Sequence, residues 1–223
     1  RGEQAEQSYR RAIQLKPDFA AAYSNLSTLL RLQGRYDEAA AAASRAVELN
    51  PQSPKAHNNL GVALHELNDL MAAFKCFRQA IDLDPDYAEA YNNVGSVFRD
   101  ENHLEGATAS YQKAIDLAPQ LADAHNNLGS VMQRQGDYDG ALGCFEQALA
   151  LNPDFPPALA NMGVISHRKN RQQESMAFFQ RALANDAEYA EAHFNISEVL
   201  LLTEPNLRPG WEEHYWRWRK HEF

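Results

Sequence analysis

The residues His57-Asn58-Asn59-Leu60-Gly61 return unchanged at 125–129, and the variant Tyr-Asn-Asn-Val-Gly occupies 91–95. The three copies begin 34 residues apart. Asparagine and glycine both lower helix propensity, so their return at one spacing needs a structural or functional cause. A constant period of roughly 20–50 residues is typical of chains that stack one small structural unit many times. The spacing therefore predicts a repeat architecture.

Prolines mark the ends of the repeating units. Five of them stand 34 residues apart: Pro17, Pro51, Pro85, Pro119 and Pro153. Each follows an apolar run such as Ala-Ile-Asp-Leu, and a proline shortly after such a run stops a helix. We predict a partial unit with only a second helix, five full units, and a degenerate unit ending in a capping helix. Their bounds are 1–19; 20–53, 54–87, 88–121, 122–155 and 156–189; and 190–223.

Each unit predicts two helices joined by a turn, because apolar residues follow a 3.6-residue period on both sides of a segment such as Gln135-Gly136-Asp137. The unit is similar to the tetratricopeptide repeat. The residues that carry this resemblance in 122–155 are Leu128, Gly129, Gly136, Tyr138, Ala141, Phe145, Ala148 and Pro153. The resemblance covers essentially the whole chain. It implies an all-α fold, a right-handed superhelical solenoid of antiparallel helix pairs whose first helices line a concave groove.

Glycine stands at the eighth place of four units, as Gly61, Gly95, Gly129 and Gly163. A residue without a side chain lets two helix backbones approach closely. We therefore expect these glycines where the two helices of a pair cross.

Asparagine stands at the sixth place of all six first helices, and we call these residues the asparagine ladder: Asn25, Asn59, Asn93, Asn127, Asn161 and Asn195. At about 100° per residue the sixth place points away from the apolar face and shares a stripe with places two, nine and thirteen. We expect it to line the groove. The fifth-place asparagines, Asn58, Asn92 and Asn126, are expected near the rim of the groove.

Two explanations of the asparagine ladder are open. An amide donates and accepts hydrogen bonds, so the ladder suits the main chain of an extended peptide. Alternatively, each asparagine bonds a neighbouring repeat. We favour peptide binding and add His65, Arg99 and His167, which share a place near the groove. The Asn93→Ala, Asn127→Ala variant is then expected to weaken peptide binding with little loss of stability.

Two further resemblances concern the parent protein. The asparagine ladder is a feature of the repeat domain of O-linked N-acetylglucosamine transferases, which units such as 88–119 resemble. The segment Gly-Trp-Glu-Glu-His-Tyr-Trp-Arg-Trp-Arg at 210–219 resembles a stretch in bacterial repeat proteins that a glycosyltransferase domain commonly follows, although Trp216 replaces a glutamate. These resemblances imply the substrate-recruiting part of a larger glycosyltransferase-type protein, of which the chain would be a fragment. The alternative is a free-standing scaffold for assembly or self-association, including a homodimer.

The aromatic residues of the last segment predict a capping helix. Trp211, Tyr215 and Trp218 fall on one helical face and are expected to pack against the array. Trp216 points elsewhere and is expected to dock onto another domain.

The asparagine ladder predicts a protein or peptide partner in extended conformation, and charge and composition argue against other classes of partner. With 21 basic and 30 acidic residues the net charge is −9, which argues against nucleic acid. No apolar run is long enough to span a membrane. Cys76 and Cys144 are two periods apart, too far for a disulfide, which predicts a reduced, cytoplasmic setting.

The sequence predicts neither catalysis nor a cofactor in these residues. His57, His125 and His193 recur in alternate units, too far apart to bind one metal ion. The fifth and sixth places hold no lysine, which disfavours capture of chaperone tails.

Overall fold

The computed structural model describes residues 2–203 and 208–219, with side chains over 2–202 and 209–214. All regular structure in this part is α-helical. The helices are α1 Gly2–Leu15, α2 Ala20–Leu32, α3 Tyr36–Leu49, α4 Pro54–Glu66, α5 Leu70–Leu83, α6 Ala88–Asp100, α7 Leu104–Leu117, α8 Ala122–Gln135, α9 Tyr138–Leu151, α10 Pro156–Arg168, α11 Gln172–Asn185, α12 Ala190–Thr203 and α13 Arg208–Arg219.

The chain divides into two compact parts, which we call the N-terminal half, Arg1–Pro119, and the C-terminal half, Gln120–Phe223. In the first, α2 pairs with α3, α4 with α5 and α6 with α7, while α1 packs on α2. In the second, α8 pairs with α9, α10 with α11 and α12 with α13. First helices also contact the next first helix: α2 with α4, α4 with α6, α8 with α10, and α10 with α12. The exact repeat bounds and the single continuous array remain predictions.

The turn between the helices of a pair needs one residue in the left-handed backbone region. That residue is Gly34 or Gly136 in two pairs, with φ of 74° and 85°. Asparagine takes the same place in three other pairs with φ near 60°: Asn68, Asn102 and Asn170. Glycine and asparagine are the residues that tolerate this conformation best, so the turn recurs with the 34-residue period.

The two helices of a pair meet at the eighth-place glycine. A Cβ atom added to Gly61 would lie 2.5 Å from Cε1 of Phe77, and one added to Gly129 would lie 2.7 Å from Cε1 of Phe145. Both rings are fully buried. The expectation of a close crossing is confirmed, because no larger residue fits beneath the ring.

Helix α1 lacks fully buried residues among those described. An ionic cluster joins it to the α2–α3 pair: Glu6 accepts hydrogen bonds from Arg10 at 2.8 Å and from Arg35 at 2.9 Å. The hydrogen bonds from Arg10 and Arg35 hold the pKa of the Glu6 carboxyl below its usual value. Arg35 also donates to Glu38 at 2.6 Å, and this bond lowers the pKa of Glu38.

Helix α13 packs on α12 through Gly210, where an added Cβ would lie 2.7 Å from Cγ of Leu201. Trp211 is one residue further round the helix and 47% exposed, with its ring edge-on to His214 at 5.5 Å. The packing of Trp211 against the array stays a prediction, and the close approach of α13 to α12 lies at Gly210. The side chains of Tyr215, Trp216 and Trp218 lie outside the described residues.

Candidate peptide-binding surface

The asparagine ladder lies off the buried face of the first helices. Asn25 is exposed, and its five counterparts are partly exposed. Asn161 and Asn195 line one cavity of about 360 Å³ between α10 and α12. In the N-terminal half, Asn25 lines a cavity of about 140 Å³ between α2 and α4. Three of the six ladder residues, Asn25, Asn161 and Asn195, therefore line concavities between successive first helices.

In the N-terminal half, ladder residues are hydrogen-bonded to the first helix of the preceding repeat. Asn59 donates from Nδ2 to the carbonyl oxygen of Ser24 at 3.2 Å, to its Oγ at 2.9 Å and to Oγ1 of Thr28 at 3.3 Å. Asn93 donates from Nδ2 to Oδ1 of Asn58 at 2.8 Å. Because a carbonyl oxygen can only accept, the Ser24 contact sets the orientation of the Asn59 amide.

The C-terminal half repeats the arrangement. Asn161 donates from Nδ2 to Oδ1 of Asn126 at 3.0 Å and to Oγ of Ser130 at 3.3 Å. The bonding of neighbouring helices, one of the two explanations given for the ladder, is thus observed. In Asn59, Asn93 and Asn161 it uses the Nδ2 branch of the amide, and within the described part of the chain their Oδ1 branch remains available as a hydrogen-bond acceptor.

The fifth-place asparagines do not share one environment. Asn58 and Asn126 are each only 7% exposed. The expectation that they lie near the rim is wrong for these two, because each is covered where it accepts the bond from the next ladder residue. Asn92, the third fifth-place asparagine, is partly exposed.

His65 and Arg99 meet at a carboxylate that the sequence analysis missed. Nε2 of His65 lies 2.9 Å from Oδ2 of Asp100, although the atoms are not aligned for a hydrogen bond. Nε of Arg99 donates to Oδ1 of Asp100 at 3.0 Å. Asp100 occupies the thirteenth place, which shares the stripe of the asparagine ladder, so that stripe was the signal for it.

His167 lines a second cavity of about 360 Å³, adjacent to the first. Its Nδ1 atom is buried and has no hydrogen-bond partner in the described part of the chain. The same cavity is lined by Asn195 and by Glu198, a residue that the sequence analysis did not single out.

The alternate-unit histidines have structural contacts. Nε2 of His57 donates to the carbonyl oxygen of Pro51 at 2.9 Å. His193 contacts the carbonyl oxygen of Ala187 through Nε2 at 3.0 Å and a Glu213 carboxylate oxygen through Nδ1 at 2.5 Å. Across 2–203 and 208–219, no three His, Cys, Asp or Glu side chains are grouped as metal ligands.

Family profiles match most of the chain. A profile described as TPR repeat matches residues 28–68 and 95–136. Three profiles described as tetratricopeptide repeat match 122–155, 54–87 and 8–41. The chain is a tetratricopeptide repeat protein. No curated protein matches it, and none of its described helices has the length and apolar character that crossing a membrane requires.

Solved tetratricopeptide repeat structures share the fold. A thermophilic repeat protein from Thermus thermophilus, TTC0263, is 24% identical with a TM-score of 0.73, over 82% of this chain and 99% of that one. MamA is 25% identical with a TM-score of 0.57, over 74% and 97%. YrrB, described as having an unusual peptide-binding site, is 20% identical with a TM-score of 0.54, over 84% and 96%.

Proposed function

We propose that this tetratricopeptide repeat protein binds extended segments of partner proteins along the asparagine ladder. The observation that carries the proposal is the orientation of the amides. In Asn59, Asn93 and Asn161 the Nδ2 branch is held by the preceding first helix, which leaves Oδ1 to accept a hydrogen bond from a ligand. A peptide main chain supplies such donors at every residue except proline.

The spacing of the ladder suits an extended chain. Packed helices lie about 8–10 Å apart, and a strand rises about 3.3 Å per residue, so about every third residue of the peptide would meet a ladder amide. Main-chain N–H groups donate to Oδ1 whatever the peptide side chains are, so binding tolerates many sequences. Small ninth-place residues such as Thr28 and Ser96 leave room for the chain.

The other predicted contacts divide into two roles. Asn58 and Asn126 hold the amides of Asn93 and Asn161 rather than touching the peptide. Asn92, which is partly exposed, is proposed as a direct contact, as are His65, Arg99 and His167. The peptide-binding site named for YrrB supports this class of ligand for the same fold.

The test compares ladder residues that have few structural contacts. Within the described part of the chain, Asn25 and Asn195 make no side-chain hydrogen bond to another helix, so Asn25→Ala and Asn195→Ala should spare stability. We expect both variants to lose affinity for a library of extended synthetic peptides, measured by fluorescence anisotropy. N-methylation of the peptide backbone should have the same effect, because it removes the donors.

Asn185→Ala is the matched control, since Asn185 is an exposed residue at the end of second helix α11. Equal binding by Asn25→Ala, Asn195→Ala and the unaltered protein would overturn the proposal, as would the absence of any peptide binding.

We also propose that the module recruits substrates for a glycosyltransferase-type enzyme of which it is a part. The resemblance of units such as 88–119 and of 210–219 supports this assignment. The reading frame beyond Phe223 tests it: a sugar-nucleotide-binding α/β domain is expected there. A stop codon or a domain of another class would overturn the assignment and favour a scaffold.

A free-standing scaffold that self-associates is the second candidate. Large apolar side chains are exposed at the ends of α1 and α12, with Leu15 at 71% and Leu202 at 74%. Such side chains favour contacts between copies of the chain. Light scattering over a range of concentrations would give a dimer mass if this candidate is correct, and a constant monomer mass would remove it.

We propose a reducing, intracellular setting. Cys76 and Cys144 are both free and half-buried, and burial raises the pKa of each thiol. The direct test is fractionation of cells that express the tagged protein, which should be recovered inside the cell. Recovery outside the cell would overturn this proposal.

A further inference from the structure

We propose that the cavity beside His167, between α10 and α12, binds a lysine or arginine side chain of the extended segment. The inference rests on the proposed peptide-binding function and adds a preference for one side-chain charge. Its lining residues are Val164, His167, Arg168, Asn170, Phe179, Asn195 and Glu198. With a volume of about 360 Å³, the cavity is at the lower end of ligand-binding cavities, roughly 300–1,000 Å³, and suits a single side chain.

Glu198 supplies the negative charge of this cavity. It is the ninth residue of α12, and the other five first helices have uncharged residues there: Thr28, Val62, Ser96, Ser130 and Val164. Glu198 is exposed. No ion pair to it is found among the described side chains. A carboxylate without a cationic partner inside a concave site attracts a cation from the ligand.

Arg168 is the basic residue of the lining, and its guanidinium is directed towards another helix. Its Nη1 lies 3.5 Å from the hydroxyl oxygen of Tyr138, and its Cζ lies 5.8 Å from the centre of that ring. Tyr138 belongs to α9, whereas Glu198 belongs to α12. The cation–π contact occupies the guanidinium of Arg168 and leaves the Glu198 carboxylate for a ligand.

The apolar lining suits the stem of a long basic side chain. The Phe179 ring is only 1% exposed, and Val164 is partly buried. Lysine and arginine pack their methylene groups on such surfaces and extend the charged group to a polar site. In this cavity the polar site is formed by Glu198 and the amide of Asn195.

His167 makes the polar lining directional. Its Nδ1 atom is buried without a partner in the described part of the chain, so a proton there would lack an acceptor. The neutral tautomer that avoids this cost has its proton on Nε2, where it can be donated to a main-chain carbonyl of the bound segment. A peptide carbonyl at His167 and a basic side chain at Glu198 would satisfy both groups.

An adjoining cavity strengthens the preference for positive charge. It is lined by Asn161, Val164, Ala190, Glu191, Phe194 and Asn195, so it shares Val164 and Asn195 with the cavity beside His167. Glu191 is four residues before Asn195 and Glu198 three residues after it, which places all three on one face of α12. The Glu191 carboxylate accepts a 2.7 Å hydrogen bond from the hydroxyl of Tyr189. One ladder amide is therefore flanked by two carboxylates.

The experiment uses an array of short synthetic peptides that differ only by lysine, arginine, glutamine or glutamate at each position in turn. We expect the full chain to prefer lysine or arginine over glutamine by roughly fivefold at one position, the effect of an ion pair worth about 1 kcal/mol. Added salt should reduce this preference. Glu198→Gln should abolish it, and Glu198→Lys should reverse it in favour of glutamate.

Glu146→Gln is the matched control, because Glu146 is an exposed residue of second helix α9. This substitution removes the same charge outside the cavity. Peptide binding that is lost in Asn195→Ala but has no charge preference, or a preference that Glu198→Gln leaves unchanged, would overturn the cavity assignment alone. Failure of every peptide to bind the unaltered chain would overturn the proposed function with it.

Discussion

The side-chain amide of Asn93 donates a 2.8 Å hydrogen bond from Nδ2 to Oδ1 of Asn58, which stands 35 residues earlier. Asn58 is buried, so its acceptor depends on this partner. The relationship joins a fifth place to the sixth place of the next first helix and repeats between Asn126 and Asn161. It gives the ladder a structural role on one branch of the amide.

The Asn58–Asn93 bond predicts an energetic coupling. Asn93→Ala leaves a buried oxygen without a donor and should lower the free energy of unfolding by about 1–3 kcal/mol. Asn58→Ala removes the acceptor, and the double variant should cost less than the sum of the two, with a coupling of about 1 kcal/mol. Urea unfolding followed by circular dichroism measures all three variants.

Additive losses would contradict this coupling. Asn25→Ala is the reference substitution, because Asn25 is exposed, and its effect should stay within about 0.5 kcal/mol. The little loss of stability expected from sequence for Asn93→Ala is replaced by this larger value, because that expectation did not include a bond to another helix.

Substitution by alanine should change stability in opposite directions at two helical glycines of the C-terminal half. A Cβ on Gly129 would lie 2.7 Å from the Phe145 ring, so Gly129→Ala should destabilise the protein by about 1–3 kcal/mol. Gly143 has nothing within 4 Å of an added Cβ, so Gly143→Ala should stabilise it by about 0.5–1 kcal/mol. Thermal unfolding compares them, and a shift in the same direction for both would refute the crossing argument.

The chain contains its own solution for a larger residue at the crossing. In 20–53 the eighth place is Ser27, and Ala43 stands where Phe77 stands in the next unit; both are buried. Gly61→Ser should therefore be tolerated in a Phe77→Ala background and be destabilising alone. Equal destabilisation in both backgrounds would show that the ring is not what excludes the side chain.

Acid should loosen α1 through the Glu6 cluster. Arg10 and Arg35 lower the pKa of Glu6, so the carboxylate contributes its stabilisation fully above the unfolded value of about 4.5, and the contribution is lost as pH falls through the lowered folded pKa. The protection factors of α1 amides, corrected for the intrinsic exchange rate at each pH, should fall in that range. Glu6→Gln should exchange faster already at neutral pH, whereas Glu3→Gln, on an exposed residue of the same helix, should not.

The two thiols should be slow to react while the protein is folded. Burial, with smaller contributions from Asp69 and Asp137, raises the pKa values of Cys76 and Cys144, and the thiolate is the reactive form. A colorimetric disulfide reagent at mildly alkaline pH should therefore modify both thiols more slowly than in urea-unfolded protein. Cys76→Ser and Cys144→Ser assign the two phases; equal rates in folded and unfolded protein would exclude the effect.

Local pattern determined much of this protein. The 34-residue period, the apolar periodicity and the turn residues predicted paired helices, because helix formation and the face that a residue occupies depend on near neighbours in sequence. The same spacing placed the ladder off the buried face and the eighth-place glycines at a crossing. None of these features needed a contact between distant residues.

Tertiary structure decided what the polar groups contact. The donor of Asn93 finds Asn58 on another helix, Asp100 lies between His65 and Arg99, and Gly210 lets α13 approach Leu201 of α12 closely. Each outcome depends on how closely two helices pack and on their relative rotation. The helical period alone gives a residue's direction around its own axis, but a hydrogen bond also requires the distance and angle to an atom that the packing supplies.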